Sequence, residues 1–285
     1  MRIRPPTTPD NSDTNTDLLE AARAAVRAAA NAEFTPDPLF SLDISQLNSV
    51  LVSAQKRHGP LVERAIADGL EGNGFVVLRN VAVPVTRGAL ALATSQDYQL
   101  LGNKQIAFDD KDIGGSFDFD FIAIDEKIGW AIGCQVKRGG GQTEHKKRRS
   151  DERCLRAVRF TFASWLRQQG YRNVDVAEAA VIDYLGQSKY AKGITIGRDE
   201  LDEFFDLPLI GAIDEMTKAM SEALEVEMRR LLAPMLTAFS ENTKDASAPM
   251  TVDERASLRP RGRKGVPSHP MHIRAPNFTD DTNRH

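Results

Sequence analysis

Residues 114–141, GGSFDFDFIAIDEKIGWAIGCQVKRGGG, decide the fold. Two short apolar runs, near 117–125 and 129–138, flank the segment DEKIG and are bounded by glycines, the pattern of a β-hairpin. Side chains of a strand alternate between its two faces. That rule puts Phe117, Phe119 and Phe121 on one face and Asp118 and Asp120 on the other. On the second run Gln135 and Lys137 share a face, opposite Cys134 and Val136. Paired as a hairpin, the two runs gather all four polar groups on one surface. By itself the alternation describes either a half-exposed hairpin with a solvated stripe or a functional site.

The residue types suggest what such a site would do. Magnesium takes oxygen ligands from one or two carboxylates, completed by water and substrate phosphate. Asp120 is the principal candidate ligand and Asp118 an accessory one, with neutral oxygens from the Gln135 amide and the Val136 carbonyl. Lys137 would hold or polarise the attacking water and offset charge at a phosphorane-like transition state. The basic, glycine-rich run KRGGGQTEHKKRR follows at once and suits a phosphate backbone arriving beside the site. Its Arg138, Lys146, Lys147, Arg148 and Arg149, with Arg153 beyond, are the candidate nucleic-acid contacts. The same run also reads as the solvated start of a helix.

Working outward, residues 1–16 are polar and read as a disordered arm, followed by an Ala-rich helix over 17–33. A helix is expected near 44–57 and a second from Pro60 to Leu70, because proline suits a first helical turn. On that reading His58 is a helix-start residue. FVVLRNVAVPV at 75–85 is a buried strand, with a short helix around 88–101 before the hairpin. A long helix over 146–169 shows Leu155, Val158, Phe162, Trp165 and Leu166 at helical spacing. A strand near 174–186 and helices over 199–240, broken near Pro208, complete the ordered part. The expected organisation is an arm and helix over 1–43, an α/β core over 44–195 with an insertion at 81–115, a helical extension over 196–240, and a disordered basic tail over 241–285. The core is a mixed central sheet flanked by helices, in the order αβββαβ.

Bulk properties narrow the classes. The formal net charge of −3 draws the chain to no polyanion as a whole, so a nucleic acid would need a local patch. The two cysteines form no CxxC pair and the five histidines are scattered, which argues against a disulfide scaffold and a zinc centre. No phosphate-binding loop with a Lys-Ser/Thr end occurs. Without a leader-like apolar run or a membrane-length apolar stretch, the expectation is a cytoplasmic protein with no membrane partner.

FDFDFIAID followed by AIGCQVKRG resembles the PD-(D/E)xK nuclease superfamily, the restriction-endonuclease-like fold. There an aspartate opens one apolar strand and an acid-x-lysine stands on the next. Upstream, HGPLVERAIADGLEGNGFVVLRN is similar to the opening of archaeal Holliday junction resolvases, where a glutamate-bearing helix leads through a Gly-aromatic step into the first strand. The resemblance runs over about residues 59–185. It implies that Glu63 matches the helix glutamate, Asp120 the strand aspartate, Gln135 the acid position and Lys137 the lysine. Glu63, beside the apolar positions Ile66 and Leu70, joins Asp120 as a candidate metal neighbour. The implied activity is hydrolysis of phosphodiester bonds, most simply as a DNA endonuclease using Mg2+ or Mn2+, with a homodimer suited to cutting both strands. Gln135 departs from the pattern by removing a charge, as it does in some branches of the superfamily. The stretch 81–115 is longer than in compact resolvases. Two other readings stay open: a nucleic-acid-binding module of the same fold without cleavage, and an unrelated α/β protein whose helices 17–33 and 199–240 mediate assembly.

Overall fold

The computed structural model describes residues 11–95, 104–139 and 144–246. The arm before residue 11, the end of the helix expected around 88–101, the glycine link at 140–143 and the tail from 247 lie outside them. The chain divides into two compact units, 1–235 and 236–285, and every strand among the described residues belongs to the first.

A five-stranded mixed sheet organises this unit, in the order β1 (Val76–Thr86), β2 (Ile113–Asp125), β3 (Trp130–Lys137), β4 (Val176–Asp183) and β5 (Thr195–Gly197). β1–β2 and β2–β3 are antiparallel pairs, the second joined by the tight hairpin. β3, β4 and β5 are parallel, with α4 (His145–Gln168) crossing over between β3 and β4. β5 was not expected from the sequence, because three residues carry too little pattern.

Helices cover both faces. One face bears α1 (Asn11–Ala30), α2 (Leu42–Gly72), α5 (Leu201–Phe205) and the first part of α6 (Leu209–Ala246), which enclose Phe121, Ala123, Ile132, Cys134, Ala180 and Ile182. The other bears α3 (Arg87–Thr94) and α4, over Phe119, Ile122, Ile124, Ala131, Ala179 and Val181. Phe119 docks α4, its ring stacked on Phe162 with centroids 5.6 Å apart. Gly133 on β3 must lack a side chain: a Cβ there would stand 2.9 Å from the Phe119 ring.

Three expectations change. The two helices expected either side of Pro60 are one 31-residue helix, α2, capped by the Ser41 hydroxyl, with Pro60 inside it. An interior proline costs about 3 kcal/mol. Burial of Val50 and Ala54 before it, and of Leu61, Val62, Ala65, Ile66 and Leu70 after it, offsets that cost. Helical structure also begins at Asn11, within the stretch read as an arm, and β1 and β2 claim both ends of the supposed insertion, leaving 87–112 as the connection.

Candidate active site

Asp120 stands where the sheet begins to part. The β2–β3 ladder runs from Asp125↔Trp130 to Phe121↔Cys134. One step further the Val136 N–H donates to the Asp120 carboxylate, at 2.6 Å, in place of a strand carbonyl. The Tyr184 N–H takes the Lys137 carbonyl on the β4 side. By strand alternation the Val136 carbonyl therefore points towards β2, beside Asp120.

The simple alternation expected of β2 fails at this residue. Phe117 and Phe119 belong to the α4-side core, whereas Phe121 joins the α2-side core, so the three do not share a face. Asp120 is the residue at which the strand changes sides, and its carboxylate lies edge-on to the sheet, against the Val136 amide. Asp118 is exposed, yet its charge reaches Asp120.

Three charged groups expected to converge do so in their electrostatics. Glu63, from α2, is half-buried; burial and the charge of Asp120 raise its carboxyl pKa, opposed by Arg79. Burial likewise raises that of Asp120, opposed by the Val136 N–H and the Lys137 ammonium. Lys137 is lowered by burial and by Lys147, and held up by Asp120 and Asp151. Glu63 and Asp120 are thus two partly desolvated acids that resist being charged together. Arg79, the nearest cation to Glu63 on β1, is already paired with Asp68 at 2.7 Å and Glu71 at 3.1 Å.

Gln135 and Lys137 share a face as expected, on the α4 side, since Cys134 and Val136 meet the α2-side core. The Gln135 side-chain oxygen is buried and accepts no hydrogen bond among the described residues. A buried carbonyl left without a donor is costly unless something else satisfies it. A divalent cation would do so, and the donor set suits magnesium or manganese: two carboxylates, an amide oxygen and a main-chain carbonyl. Groups of three or more His, Cys, Asp or Glu side chains placed to hold a metal do not occur among the described residues. The fit here therefore depends on the neutral oxygens of Gln135 and Val136.

The basic run divides. Lys146, Lys147, Arg149 and Arg153 are exposed on the first turns of α4, and Arg148 is partly so. The acids among them are engaged elsewhere: Asp151 accepts from the Tyr190 hydroxyl at 2.7 Å, and Glu152 from the Ala191 N–H at 3.0 Å. α4 begins with no side-chain cap and no acid in its first turn, so lysines crowd the positive end of its dipole. Arg138 does not join this surface. Its Nε donates to His58 Nδ1 at 3.0 Å, beside a cavity of about 270 Å3 that both residues line with Tyr184 and Met220.

His58 is likewise not a helix-start residue. It is buried within α2, with Nδ1 accepting from Arg138, so its Nε2–H donates to Thr217 Oγ1 at 3.0 Å. Burial and the Arg138 charge lower its pKa to about 4, so it is neutral. One further acid near the site was not anticipated. Asp183, opposite Lys137 in the β3–β4 register, is buried and caps the following turn through the Gln187 and Ser188 amides. The Cys134 thiol is pushed well up by burial and is no nucleophile.

Among the described residues no helix is long and apolar enough to cross a membrane. Compared with known proteins, the chain matches no family model, no curated protein and no solved structure.

Proposed function

We propose that this protein is a metal-dependent nuclease that hydrolyses phosphodiester bonds, with DNA as substrate, built on a restriction-endonuclease-like core. The observation that carries the reading is the mutually repelling pair Glu63 and Asp120 within reach of the Lys137 charge. The buried Gln135 oxygen, unpartnered among the described residues and two positions before Lys137 on β3, supports it. The order α2, β1, β2, β3, α4, β4 around a mixed sheet supports it, since it is the order the motif resemblance implies.

Asp120, Glu63, the Gln135 amide oxygen and the Val136 carbonyl would hold Mg2+ or Mn2+. When bound, the cation would acidify water and neutralise the scissile phosphate. Asp120 is oriented for this by the Val136 amide. The Lys137 ammonium, next to Asp120, holds the attacking water and offsets the charge that accumulates on the phosphoryl oxygens. Exposed Lys146, Lys147, Arg149 and Arg153 lie on the helix whose charges reach Lys137, and would seat the flanking backbone.

Gln135 in the acid position favours one competing reading, a binding module that does not cut. A cleavage panel decides between them, with linear duplex, branched, single-stranded DNA and RNA incubated with Mg2+ or Mn2+. Metal-dependent hydrolysis supports the nuclease. Binding without cleavage under either metal supports the module, and neither binding nor cleavage defeats both.

A further inference from the structure

β1 and β2 exchange their faces at the same level of the ladder. In β1, Val77 lies on the α2-side core and Leu78 on the α4 side, as alternation requires, but Val81, Val83 and Val85 then all lie on the α4 side. In β2, Phe117 and Phe119 are on the α4 side, whereas Phe121 and Ala123 are on the other. Strict alternation would keep all odd residues of a strand together. The ladder passes through this point without slipping, from Arg79↔Phe121 to Val81↔Phe119, so no extra residue has been inserted.

Between these two pairs Asn80 and Asp120 stand at the same level but are not paired in the ladder, and Asn80 has φ of +53°. The other non-glycine residues with positive φ among those described are Lys189, which follows β4, and Asp206, which caps α5. Asn80 alone of the three sits inside a strand, where no turn requires the left-handed region. Asparagine tolerates that region, whereas the β-branched residues around it do not.

We propose that Asn80 is a positioning residue: its left-handed backbone reverses the facing of β1 and β2 where the ladder skips one pair, and so turns the Asp120 carboxylate out of both sheet faces and onto the Val136 N–H. In that orientation Asp120 is reached both by Glu63 from the α2 side and by Lys137 from the α4 side. The catalytic meaning of this rests on the nuclease reading; the geometric claim does not.

The test compares Asn80→Gly, which keeps the left-handed conformation accessible, with Asn80→Ala and Asn80→Val, which disfavour it. Amide exchange by NMR reads the Val136 N–H directly, and calorimetry reads Mn2+ binding. We expect Val136 protection to fall by roughly tenfold in Asn80→Ala and Asn80→Val but to stay within about threefold of wild type in Asn80→Gly, while the Ile132 amide is unchanged. Mn2+ affinity should fall in the same two variants by about tenfold or more, as when a ligand loses its orientation. Should Asn80→Val not fold, Asn80→Ala carries the comparison. Unchanged Val136 protection in Asn80→Ala, or equal loss in Asn80→Gly, overturns the inference. A wild-type protein that binds no Mn2+ overturns the nuclease reading instead, and the Val136 amide still decides the role of Asn80.

Discussion

Glu63 and Asp120 occupy positions that disfavour negative charge, because each is partly desolvated and Asp120 raises the pKa of its neighbour. A carboxyl whose folded pKa is raised above its unfolded value stabilises the fold at pH below the unfolded value. That contribution is lost as pH rises through the folded value. In metal-free protein, Glu63→Gln should therefore raise stability at pH 7, modestly because solvent screens this half-exposed group, with the gain disappearing as pH falls towards 4. Mn2+ reverses the ranking, since ligand at 100 times its dissociation constant stabilises by about 2.7 kcal/mol and the variant forfeits much of it. Thermal melts in EDTA and in Mn2+ measure both effects. His58 behaves in the opposite sense. Its pKa is lowered to about 4, so its contribution is complete above the unfolded value near 6.5 and is lost as pH falls towards 4. Urea unfolding should show wild type losing more stability than His58→Gln between pH 7 and pH 4.5, by on the order of 2 kcal/mol.

At the scale of elements, β3 carries Lys137 and α4 the exposed basic turns beside it. Gly133 allows the Phe119 ring to lie flat over β3 and stack on Phe162. Gly133→Val should cost about 1–3 kcal/mol through overpacking, read as a lower urea midpoint, and shift α4 with its basic turns. Replacing Lys147, Arg149 and Arg153 by alanine should weaken binding to all DNA sequences alike and lower the salt slope by roughly one per charge removed, measured by fluorescence anisotropy. The long elements were legible because their apolar periods were unbroken. In α4, Leu155, Val158, Phe162 and Leu166 mark one buried face, and the β2–β3 hairpin is bounded by glycine and turn residues. The continuity of α2 was not legible, because local propensity at Pro60 argues for a break that burial on both sides overrides. The partnership of Arg138 with His58 was equally hidden, since it joins residues 80 apart in the chain. For Arg138, charge alone suggested a surface role that tertiary contact withdraws.

At the scale of the molecule, the fold brings an acid from a helix, an acid from one strand and a lysine from the next within reach of one another's charge. Alternation grouped Asp118, Asp120, Gln135 and Lys137, the motif resemblance added Glu63, and the electrostatics join Glu63, Asp120 and Lys137. Period-two alternation did not indicate how they meet. It placed Asp118 and Asp120 on one flat surface, whereas the facing reversal at the level of Asn80 and Asp120 sets Asp120 edge-on between two layers of helices. A single left-handed residue within a β-branched run leaves almost no compositional trace. The remaining question is whether Gln135, a neutral oxygen where the motif expects a charged one, supports chemistry as well as binding. Nicking of supercoiled plasmid in Mn2+ by wild type and Lys137→Ala addresses it most directly. Wild type should nick the plasmid, stop in EDTA, and lose at least about a hundredfold in rate with Lys137→Ala while the variant still folds and binds DNA. Equal nicking by the two proteins, or none by wild type with either metal, would rule out this site as the catalytic centre of a nuclease.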